Sequence, residues 1–485
     1  MPSKLTVLLV SLLLATPAVA FWLWLVIVPA VVAIICPEGC QCGTGGYYIE
    51  CQSLSVNPIP LIHLPNLRYI WLYENNLTLL EKDSFVSMTE LHLLDINFCG
   101  LTTIQLGAFN GLTELTELSI AGNNLSDILP GTFENMISLE HLYLSDNKIK
   151  HLNSAVFSGL GAFSGSTKLT KLFMASNEIS EIMAGTFENL SSLEHIDLNH
   201  NEITEIMPGT FENMGSLKYL FLSGNKIRHL NSAVFSGLGT FSGLTELREL
   251  SIAGNEISDI SPGTFENTSS LEILDLSDNK LRHLNSAVFS GLGIFSGFTN
   301  LKRLLMNGNE ITEILPGTFE NMSSLEILDL SDNKIRHLNS AVFSGLGTFS
   351  GLTNLKRLLM NGNEITEILP GTFENMSSLE HLDLSVNNLR LLDSAVFSGL
   401  FHLKHVDLSA NELQYLHPHT FLGLPNIKRL HINGNVALQI PTDRHFINSH
   451  SLSELDIGSC NVSSLSVETF ANISALKWLD RATII

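Results

Sequence analysis

The stretch LEHLYLSDN, residues 139–147, decides the fold of this chain. Within it, Leu142 and Leu144 alternate with other residue types, which is the two-residue period of a short β-strand with one buried face. A strand of this length cannot bury its apolar face alone, so copies of it must stack on one another. We therefore predict a parallel sheet that receives one strand from each copy.

The frame L-x-x-L-x-L-x-x-N of this stretch recurs sixteen times, mostly 24 residues apart and four times 30 residues apart. Its last position, called here the ladder position, holds Asn75, Cys99, Asn123, Asn147, Asn177, Asn201, Asn225, Asn255, Asn279, Asn309, Asn333, Asn363, Asn387, Asn411, Asn435 and Cys460. We predict that each asparagine turns inward and binds backbone groups of the adjacent turn, because buried backbone groups are costly when unpaired. A thiol is small and a weak donor, so cysteine can also occupy this position.

A phenylalanine follows nearly every ladder residue by ten positions, from Phe85 to Phe470, and predicts a second apolar column on the opposite wall. The four 30-residue repeats add glycine-rich stretches at residues 159–165, 237–243, 291–297 and 345–351. Their G-x-G-x-x-x-G spacing is one residue too long for a dinucleotide-binding loop, and no strand leads into the first glycine. We interpret them as loops on the outer wall and predict no cofactor.

The 485 residues are predicted to form one elongated repeat domain, with sixteen repeats over residues 67–474. The formal net charge of −22 argues against nucleic acid as a partner. Acidic repeats with Glu310 and Glu364 neighbour basic repeats with Lys334 and Arg336 along one flank. We expect these side chains to pair with one another, and a charged partner-binding stripe is the alternative.

Residues 1–35 form an apolar N-terminal segment that is uncharged from residue 5 onward. The small residues at 18–20 offer the cleavage site of a secretory signal, whereas the length of the segment also fits an uncleaved signal-anchor. Both interpretations place the repeats outside the cell. The chain would contact a membrane through this segment if it is uncleaved, or through a C-terminal part missing from the sequence.

Four cysteines follow directly and define a predicted N-terminal cap over residues 36–66. They are Cys36, Cys40, Cys42 and Cys51, which allow three disulfide pairings. A zinc site is the alternative, but a secretory route favours disulfides. The cap would cover the apolar end of the first repeat, since the terminal repeats of a stacked array need capping.

The cysteine cap and repeats of the form N-x-I-x-x-I-x-P-G-T-F-E-N-M resemble the extracellular leucine-rich repeat family, which includes Slit, Toll-like receptor ectodomains, chaoptin and the lamprey variable lymphocyte receptors. This resemblance implies an α/β leucine-rich repeat solenoid, with a curved parallel β-sheet on the concave face and irregular, 3-10 and loop segments on the convex face. It also implies the disulfides Cys36–Cys42 and Cys40–Cys51. Residues 475–485 resemble the start of a seventeenth repeat without a C-terminal cysteine cap, so we expect the sequence to be a fragment.

Eight N-x-S/T sequons predict glycosylation at Asn76, Asn124, Asn189, Asn267, Asn321, Asn375, Asn461 and Asn472. The four in F-E-N-x-S, from Asn189 to Asn375, follow the phenylalanine column and are placed on the outer wall. None of the eight falls at an exposed strand position of the predicted sheet. Glycans would therefore leave the concave face free to bind a partner.

Aromatic and charged residues are concentrated on the predicted concave face in repeats 4 to 7. The candidate ligand-binding residues are His141, Tyr143, Lys171, Phe173, His195, Asp197, Tyr219 and Phe221. Exposed aromatics with charged neighbours are typical of a protein-binding hot spot, and scattered surface aromatics without a partner are the alternative. Tyr69, Trp71 and Tyr73 of repeat 1 are expected to pack against the cap instead.

Repeats 13 to 15 carry a group of residue types that can bind a metal ion. Asp383, Asp407 and His431 fall on adjacent predicted strands, and His381 and His405 lie beside them. This spacing permits a metal site. We favour a solvated ladder of charges across the strands and predict no metal, and protonation of the histidines in acidic compartments is a further hypothesis.

Together these features predict an extracellular recognition module, secreted or on the cell surface, that binds a protein or a microbial or matrix glycan through its concave face. The alternative is a structural matrix protein or a homophilic adhesion protein, which would form homodimers. The sequence contains no G-x-S-x-G elbow, P-loop, H-E-x-x-H motif or C-x-x-C pair. We therefore predict no catalytic residues and no enzyme activity.

Overall fold

The structure of the chain is a computed structural model. It describes residues 36, 38–43, 45–53, 66–152, 156–157, 168–183, 185–211, 213–230, 244–261, 264–265, 268–284, 299–315, 318–319, 322–338, 352–441, 443–462 and 465–480. The apolar segment 1–35, the sequons Asn267 and Asn321, and all four glycine-rich stretches lie outside these residues. Within the described part, no helix has both the length and the apolar character needed to cross a bilayer.

A 19-stranded sheet runs the length of the molecule and contains one strand from each predicted repeat. Numbered as repeats 1 to 16, these strands are Tyr69–Trp71, Leu93–Asp95, Glu117–Ser119, His141–Tyr143, Lys171–Phe173, His195–Asp197, Tyr219–Phe221, Glu249–Ser251, Ile273–Asp275, Arg303–Leu305, Ile327–Asp329, Arg357–Leu359, His381–Asp383, His405–Asp407, Arg429–His431 and Glu454–Asp456. Each pairs in parallel and in register with the next, as Lys171 does with His195. The predicted parallel sheet is confirmed.

The central residue of each strand points into the core, and the two residues beside it point outward. Leu142, Leu172 and Leu220 are all 0% exposed, whereas the flanking positions are half-buried or exposed. Burying each of these leucines stabilises the fold by about 1.5–3 kcal/mol. Because the core uses only one face of the sheet, the opposite face is available for binding.

The ladder asparagines bind the backbone as predicted. Asn201 is 5% exposed, and its Nδ2 donates to the carbonyl oxygens of Met174 and Leu198 at 3.0 and 3.1 Å. Its Oδ1 accepts the Ile179 N–H at 3.1 Å. One side chain therefore forms hydrogen bonds with backbone groups of two successive repeats. A buried backbone group left without a hydrogen bond would lower the free energy of unfolding by about 1–3 kcal/mol.

Both cysteines in the ladder position reproduce part of this pattern. The Cys99 thiol donates to the Leu72 carbonyl at 2.7 Å, and the Cys460 thiol donates to the Ile432 carbonyl at 3.2 Å. Burial raises the pKa of each thiol to about 11. These two cysteines are therefore protonated structural residues rather than reactive thiolates.

The phenylalanine column on the opposite wall is also confirmed. Phe85, Phe109, Phe133 and Phe157 stack with ring centroids 6.2, 6.2 and 6.4 Å apart, and Phe397 stacks on Phe421 at 5.5 Å. Isolated turns join this column to the next strand, as where the Met136 N–H binds the Phe133 carbonyl at 3.3 Å. Among the described residues, the convex face thus consists of short turns and irregular segments, and the three-residue spacing of this hydrogen bond is that of a 3-10 turn.

Short parallel pairs of two-residue strands lie between the sheet and the phenylalanine column. They join Leu79–Leu80 to Thr103–Ile104, His151–Leu152 to Glu181–Ile182, His229–Leu230 to Asp259–Ile260, His283–Leu284 to Glu313–Ile314, and His337–Leu338 to Glu367–Ile368. A single helical turn, Val467–Phe470, precedes the strand Trp478–Asp480, which pairs in parallel with repeat 16. The predicted seventeenth strand is thus present in the sheet.

The cap is closed by the disulfides Cys36–Cys42 and Cys40–Cys51, the pairing that the resemblance implied. Strand Cys40–Cys42 pairs antiparallel with Tyr48–Cys51, which pairs in parallel with repeat 1. The Trp71 ring lies 6.0 Å from Tyr48, and the Tyr73 hydroxyl donates to Glu50 at 2.8 Å. Trp71 and Tyr73 therefore contact the cap as expected, whereas Tyr69 is exposed and stacks on Trp71 with ring centroids 5.9 Å apart.

Acidic and basic side chains on one flank pair between neighbouring repeats. Glu310 lies 2.9 Å from Arg282 and 3.9 Å from Lys334, and Arg336 lies 2.8 Å from Glu364. Exposed pairs of this kind contribute about 0–1 kcal/mol each. The expected mutual pairing is confirmed, and it leaves these charges engaged with one another.

Candidate functional site

All eight candidate binding residues project from the outward face of four adjacent strands. The register places Tyr143 beside Phe173 and Phe173 beside Asp197, while His195 lies beside Tyr219. The strands bring them together because each central residue, such as Ile196, is held at 0% exposure in the core. Residues separated by up to 80 positions therefore form one continuous surface.

Six of these residues form an aromatic strip, defined here as His141, Tyr143, Phe173, His195, Tyr219 and Phe221. Tyr143 and Phe173 stack at 4.9 Å, and the His195 ring contacts Phe173 at 4.7 Å. His195 also contacts Phe221 at 5.2 Å and Tyr219 at 5.7 Å. Ring pairs of this kind contribute about 0.5–1.5 kcal/mol beyond area burial, so the rings hold one another in place before any partner arrives.

The six residues of the strip include no Asp, Glu, Lys or Arg. In the strand register, Lys171 lies between His141 and His195, and Asp197 lies between Phe173 and Phe221. Burial lowers the pKa of His195, an effect opposed by Asp197 and assisted by Lys171. Burial and the charge of Glu117 raise the pKa of Tyr143, so its hydroxyl stays protonated and can donate. Ordered aromatic rings on an outward face, with charged residues among them, are typical of a protein-binding surface.

A depression of 340 Å³ adjoins the aromatic strip at Tyr143 and was not predicted from the sequence. Its lining residues are Trp71, Leu93, Asp95, Asn97, Glu117, Ser119, Ala121, Tyr143 and Ser145. Burial raises the pKa of Asp95, the Asn97 backbone N–H opposes this, and Glu117 adds to it. The signal was the pair of small residues Ser119 and Ala121 in repeat 3, which leaves a gap between larger rings in repeats 1 and 4.

A second cluster of polar rings occupies the same face in repeats 13 to 15. His381 and His405 have ring centroids 4.5 Å apart, and His405 and His431 are 4.8 Å apart. His431 Nδ1 lies 3.4 Å from Asp407 Oδ2, and that hydrogen bond raises the pKa of His431. Cross-strand pairing of charges is therefore present here, as the charge-ladder interpretation required.

One atom in this cluster has no partner. His405 Nε2 is buried and makes no hydrogen bond to any described residue. Burial, with the neighbouring His381 and His431, lowers the pKa of His405 to about 4, so its ring is neutral near pH 7. Burial alone would raise the pKa of Asp407, but hydrogen bonds from His431 and Ser409 lower it overall.

Six of the eight sequons fall within the described residues. Asn76, Asn124, Asn189, Asn375 and Asn461 are exposed, and Asn472 is half-buried with its Nδ2 donating to Asn448 at 2.7 Å. Asn189 and Asn375 lie in turns that follow Phe187 and Phe373, which is the outer position predicted for them. None of the six lies in a strand of the large sheet. Whether they carry glycans stays a prediction.

Solved structures of the same architecture come from bacteria and from an insect. A leucine-rich repeat protein of Leptospira interrogans is 26% identical, with 80% of this chain and 90% of that chain covered and a TM-score of 0.63. An internalin of Listeria monocytogenes is 19% identical, with 75% and 87% covered and a TM-score of 0.50. Toll of Drosophila, in the Toll–Spatzle complex, is 20% identical, with 90% and 61% covered and a TM-score of 0.64.

A comparison with curated proteins finds no significant match. A family profile described as leucine rich repeat matches residues 89–149, 113–164, 160–203, 195–244, 245–294, 299–347, 346–389 and 384–436. These matches extend over more than half of the chain, and the sheet, the ladder and the phenylalanine column have the form that such repeats require. The chain belongs to the leucine-rich repeat family.

Proposed function

We propose that this chain is an extracellular recognition module that binds a protein partner through the aromatic strip on its concave face. The observation that carries this proposal is the unbroken ring contact from Tyr143 through Phe173 and His195 to Phe221. Large rings that stand outward from the core and are already ordered lose little conformational entropy on binding. They therefore suit the anchor role that aromatics play in protein interfaces.

The size and setting of the strip support the same conclusion. Four strands at roughly 4.8 Å spacing make the strip about 14 Å wide, which fits inside the buried centre of a standard interface. Lys171 and Asp197 supply charges between the rings. The adjoining depression offers the carboxylates of Asp95 and Glu117 to a cationic side chain of the partner. The paired charges of the flank are a weaker candidate because they already satisfy one another.

An extracellular location is supported by covalent chemistry. Two disulfides close the cap, and disulfides persist in oxidising compartments. Five exposed sequon asparagines lie away from the sheet, so glycans there would leave the strip accessible. The Toll–Spatzle structure indicates that a solenoid of this architecture can carry a protein ligand, although the likeness to Toll concerns the fold alone.

Loss of the rings tests the proposal. The secreted chain is assayed against an array of extracellular proteins and a parallel array of glycans, and the best binder is titrated by surface plasmon resonance. The triple variant Phe173→Ala/Tyr219→Ala/Phe221→Ala should weaken binding by more than about thirtyfold, the equivalent of one hot-spot residue. Phe401→Ala is the matched control, since Phe401 is 57% exposed in a turn outside the sheet. Unchanged affinity in the triple variant would overturn the proposal.

A homophilic adhesion protein is the second candidate, and one observation favours it. Arg303 and Arg357 alternate with Asp329 and Asp383 on the outward face of repeats 10 to 13. Two copies packed face to face could place the arginines of one against the aspartates of the other. Light scattering over a concentration series would detect the dimer. The double variant Arg303→Glu/Arg357→Glu should dissociate it, because it places acidic side chains against the aspartates of the other copy.

A further inference from the structure

The side chains of His405, Asp407 and His431 converge on the outward face of repeats 14 and 15. One ligand atom of each lies within 4.8 Å of the other two. His405 and Asp407 flank the buried Val406 on one strand, and His431 stands directly beside Asp407 on the next. Because parallel strands repeat at a fixed spacing, this arrangement is held by the backbone rather than by a loop.

The groups behind these three residues are arranged to orient them. His431 Nε2 lies 3.5 Å from Glu454 Oε1, which leaves Nδ1 facing Asp407 Oδ2 at 3.4 Å. Asp407 Oδ1 accepts the Ser409 N–H at 2.9 Å, so Oδ2 is the carboxylate oxygen that faces His431. A carboxylate on the far nitrogen of a histidine is the usual support of a metal-binding imidazole.

The unpaired nitrogen of His405 is the independent observation that points to a ligand. A charge ladder explains His431 and Asp407, which already contact each other, but it gives His405 Nε2 no partner. A buried polar atom without a hydrogen bond is costly in a folded protein and calls for an explanation. A cation seated between the three side chains would accept that lone pair.

We propose that His405, Asp407 and His431 bind a divalent transition metal ion, Zn²⁺ in the first instance, with its remaining coordination position open to the concave groove. Two imidazoles and one carboxylate favour zinc over calcium, which prefers oxygen ligands alone. Bonds of about 2.0–2.2 Å place tetrahedral ligand atoms about 3.4 Å apart, which is the separation of His431 Nδ1 and Asp407 Oδ2. His405 offers a ligand atom within 4.8 Å of the other two, so it must move closer by up to about 1.4 Å to reach the same separation.

The open position gives this site a role that the aromatic strip cannot fill. A metal with three protein ligands accepts a fourth donor, so a carboxylate or imidazole of a bound partner could complete it. The two surfaces lie on the same face, with the strip in repeats 4 to 7 and the metal site in repeats 14 and 15, which begins seven repeats after the strip ends. The site does not depend on the strip, and its test needs no partner.

The test is zinc binding by the full-length chain after removal of bound metal with a chelator. Isothermal titration calorimetry with ZnCl₂ should give one tightly bound ion per chain, and Co²⁺ should give the visible absorption of a tetrahedral site. His405→Gln and His431→Gln should each weaken Zn²⁺ binding by at least about tenfold, and Glu454→Gln by about tenfold. Asp407→Asn is an alternative variant if one of the histidine variants fails to fold.

The matched control is His417→Gln. His417 and His419 have ring centroids 5.1 Å apart and are the neighbouring histidine pair that could bind zinc adventitiously. The proposal predicts unchanged affinity in this variant. Any of three results would overturn the proposal. They are the absence of stoichiometric Zn²⁺ binding by the metal-free chain, undiminished Zn²⁺ binding in both His405→Gln and His431→Gln, and loss of Zn²⁺ binding in His417→Gln.

Discussion

The Tyr143 ring lies parallel to the Phe173 ring, with centroids 4.9 Å apart and an interplanar angle of 2°. The two residues are thirty positions apart and meet because repeats 4 and 5 pair in register. This stacking sets the geometry of the aromatic strip, since Phe173 in turn contacts His195. The strip therefore exists as a unit only when the repeats are stacked.

We expect the stacked rings to be energetically coupled. Tyr143→Ala and Phe173→Ala should each lower the free energy of unfolding, and the double variant should cost less than their sum by about 0.5–1.5 kcal/mol. The measurement is a double-mutant cycle by urea denaturation. Additive effects would show that the ring contact carries no energy of its own.

The ladder asparagines should be among the most sensitive positions in the chain. Asn201→Ala leaves the Ile179 N–H without its partner, so we expect a loss of about 1–3 kcal/mol. The Met174 carbonyl loses one of its two amide donors and keeps the one from Asn177. Asn201→Cys should cost less, because a thiol serves the same position at Cys99. Equal destabilisation by both substitutions in thermal unfolding would contradict this account.

The buried position of His195 predicts that stability depends on pH. Its pKa is lowered in the folded chain, first by burial and then by Lys171, while Asp197 opposes the shift and the rings of Phe173 and Tyr219 pack around it. The unfolded chain therefore binds more protons below pH 6.5, and stability falls as pH drops through that range. His195→Gln should flatten this part of the profile.

Proton NMR titration of the His195 ring checks the direction of this shift independently. The control variant is His151→Gln, at an exposed histidine outside the large sheet and away from the aromatic strip. A midpoint for His195 at or above 6.5 would refute the prediction.

The two kinds of cysteine should respond differently to reagents. Cys99 and Cys460 are buried with pKa values near 11, so iodoacetamide should not label them in the folded chain. Cys40→Ser/Cys51→Ser should destabilise the cap by about 2–4 kcal/mol. Mass spectrometry after labelling, with and without denaturant, separates the two groups, and native-state labelling of Cys99 would contradict its assigned position.

Much of the fold is readable from the sequence because its determinants are local. The alternation of Leu142 and Leu144 specifies a strand, and the recurrence of Asn147 at Asn177 and Asn201 specifies the turn that follows it. The same period that places leucines inward places Tyr143 and Phe173 outward, so the candidate surface could also be predicted. The cap pairing came from a family resemblance, since four cysteines alone allow three pairings.

The depression beside Tyr143 and the unpaired nitrogen of His405 could not be read in the same way. The depression depends on the small side chain of Ser119 in repeat 3, which leaves a gap between the rings of Trp71 in repeat 1 and Tyr143 in repeat 4. The second depends on which of its neighbours His431 binds, and it binds Asp407 and Glu454 rather than His405. Neither choice changes the sequence pattern of any single repeat.

The sequence by itself determined the coil, the order of the strands and the face on which each side chain stands, because these follow from a period of a few residues. Tertiary structure alone decided which rings stack, which charges pair and which polar atom is left without a partner. The physical reason is that burial and partner choice depend on side chains from repeats that are 24 or 30 residues apart. They compete for the same contacts only after the repeats have stacked.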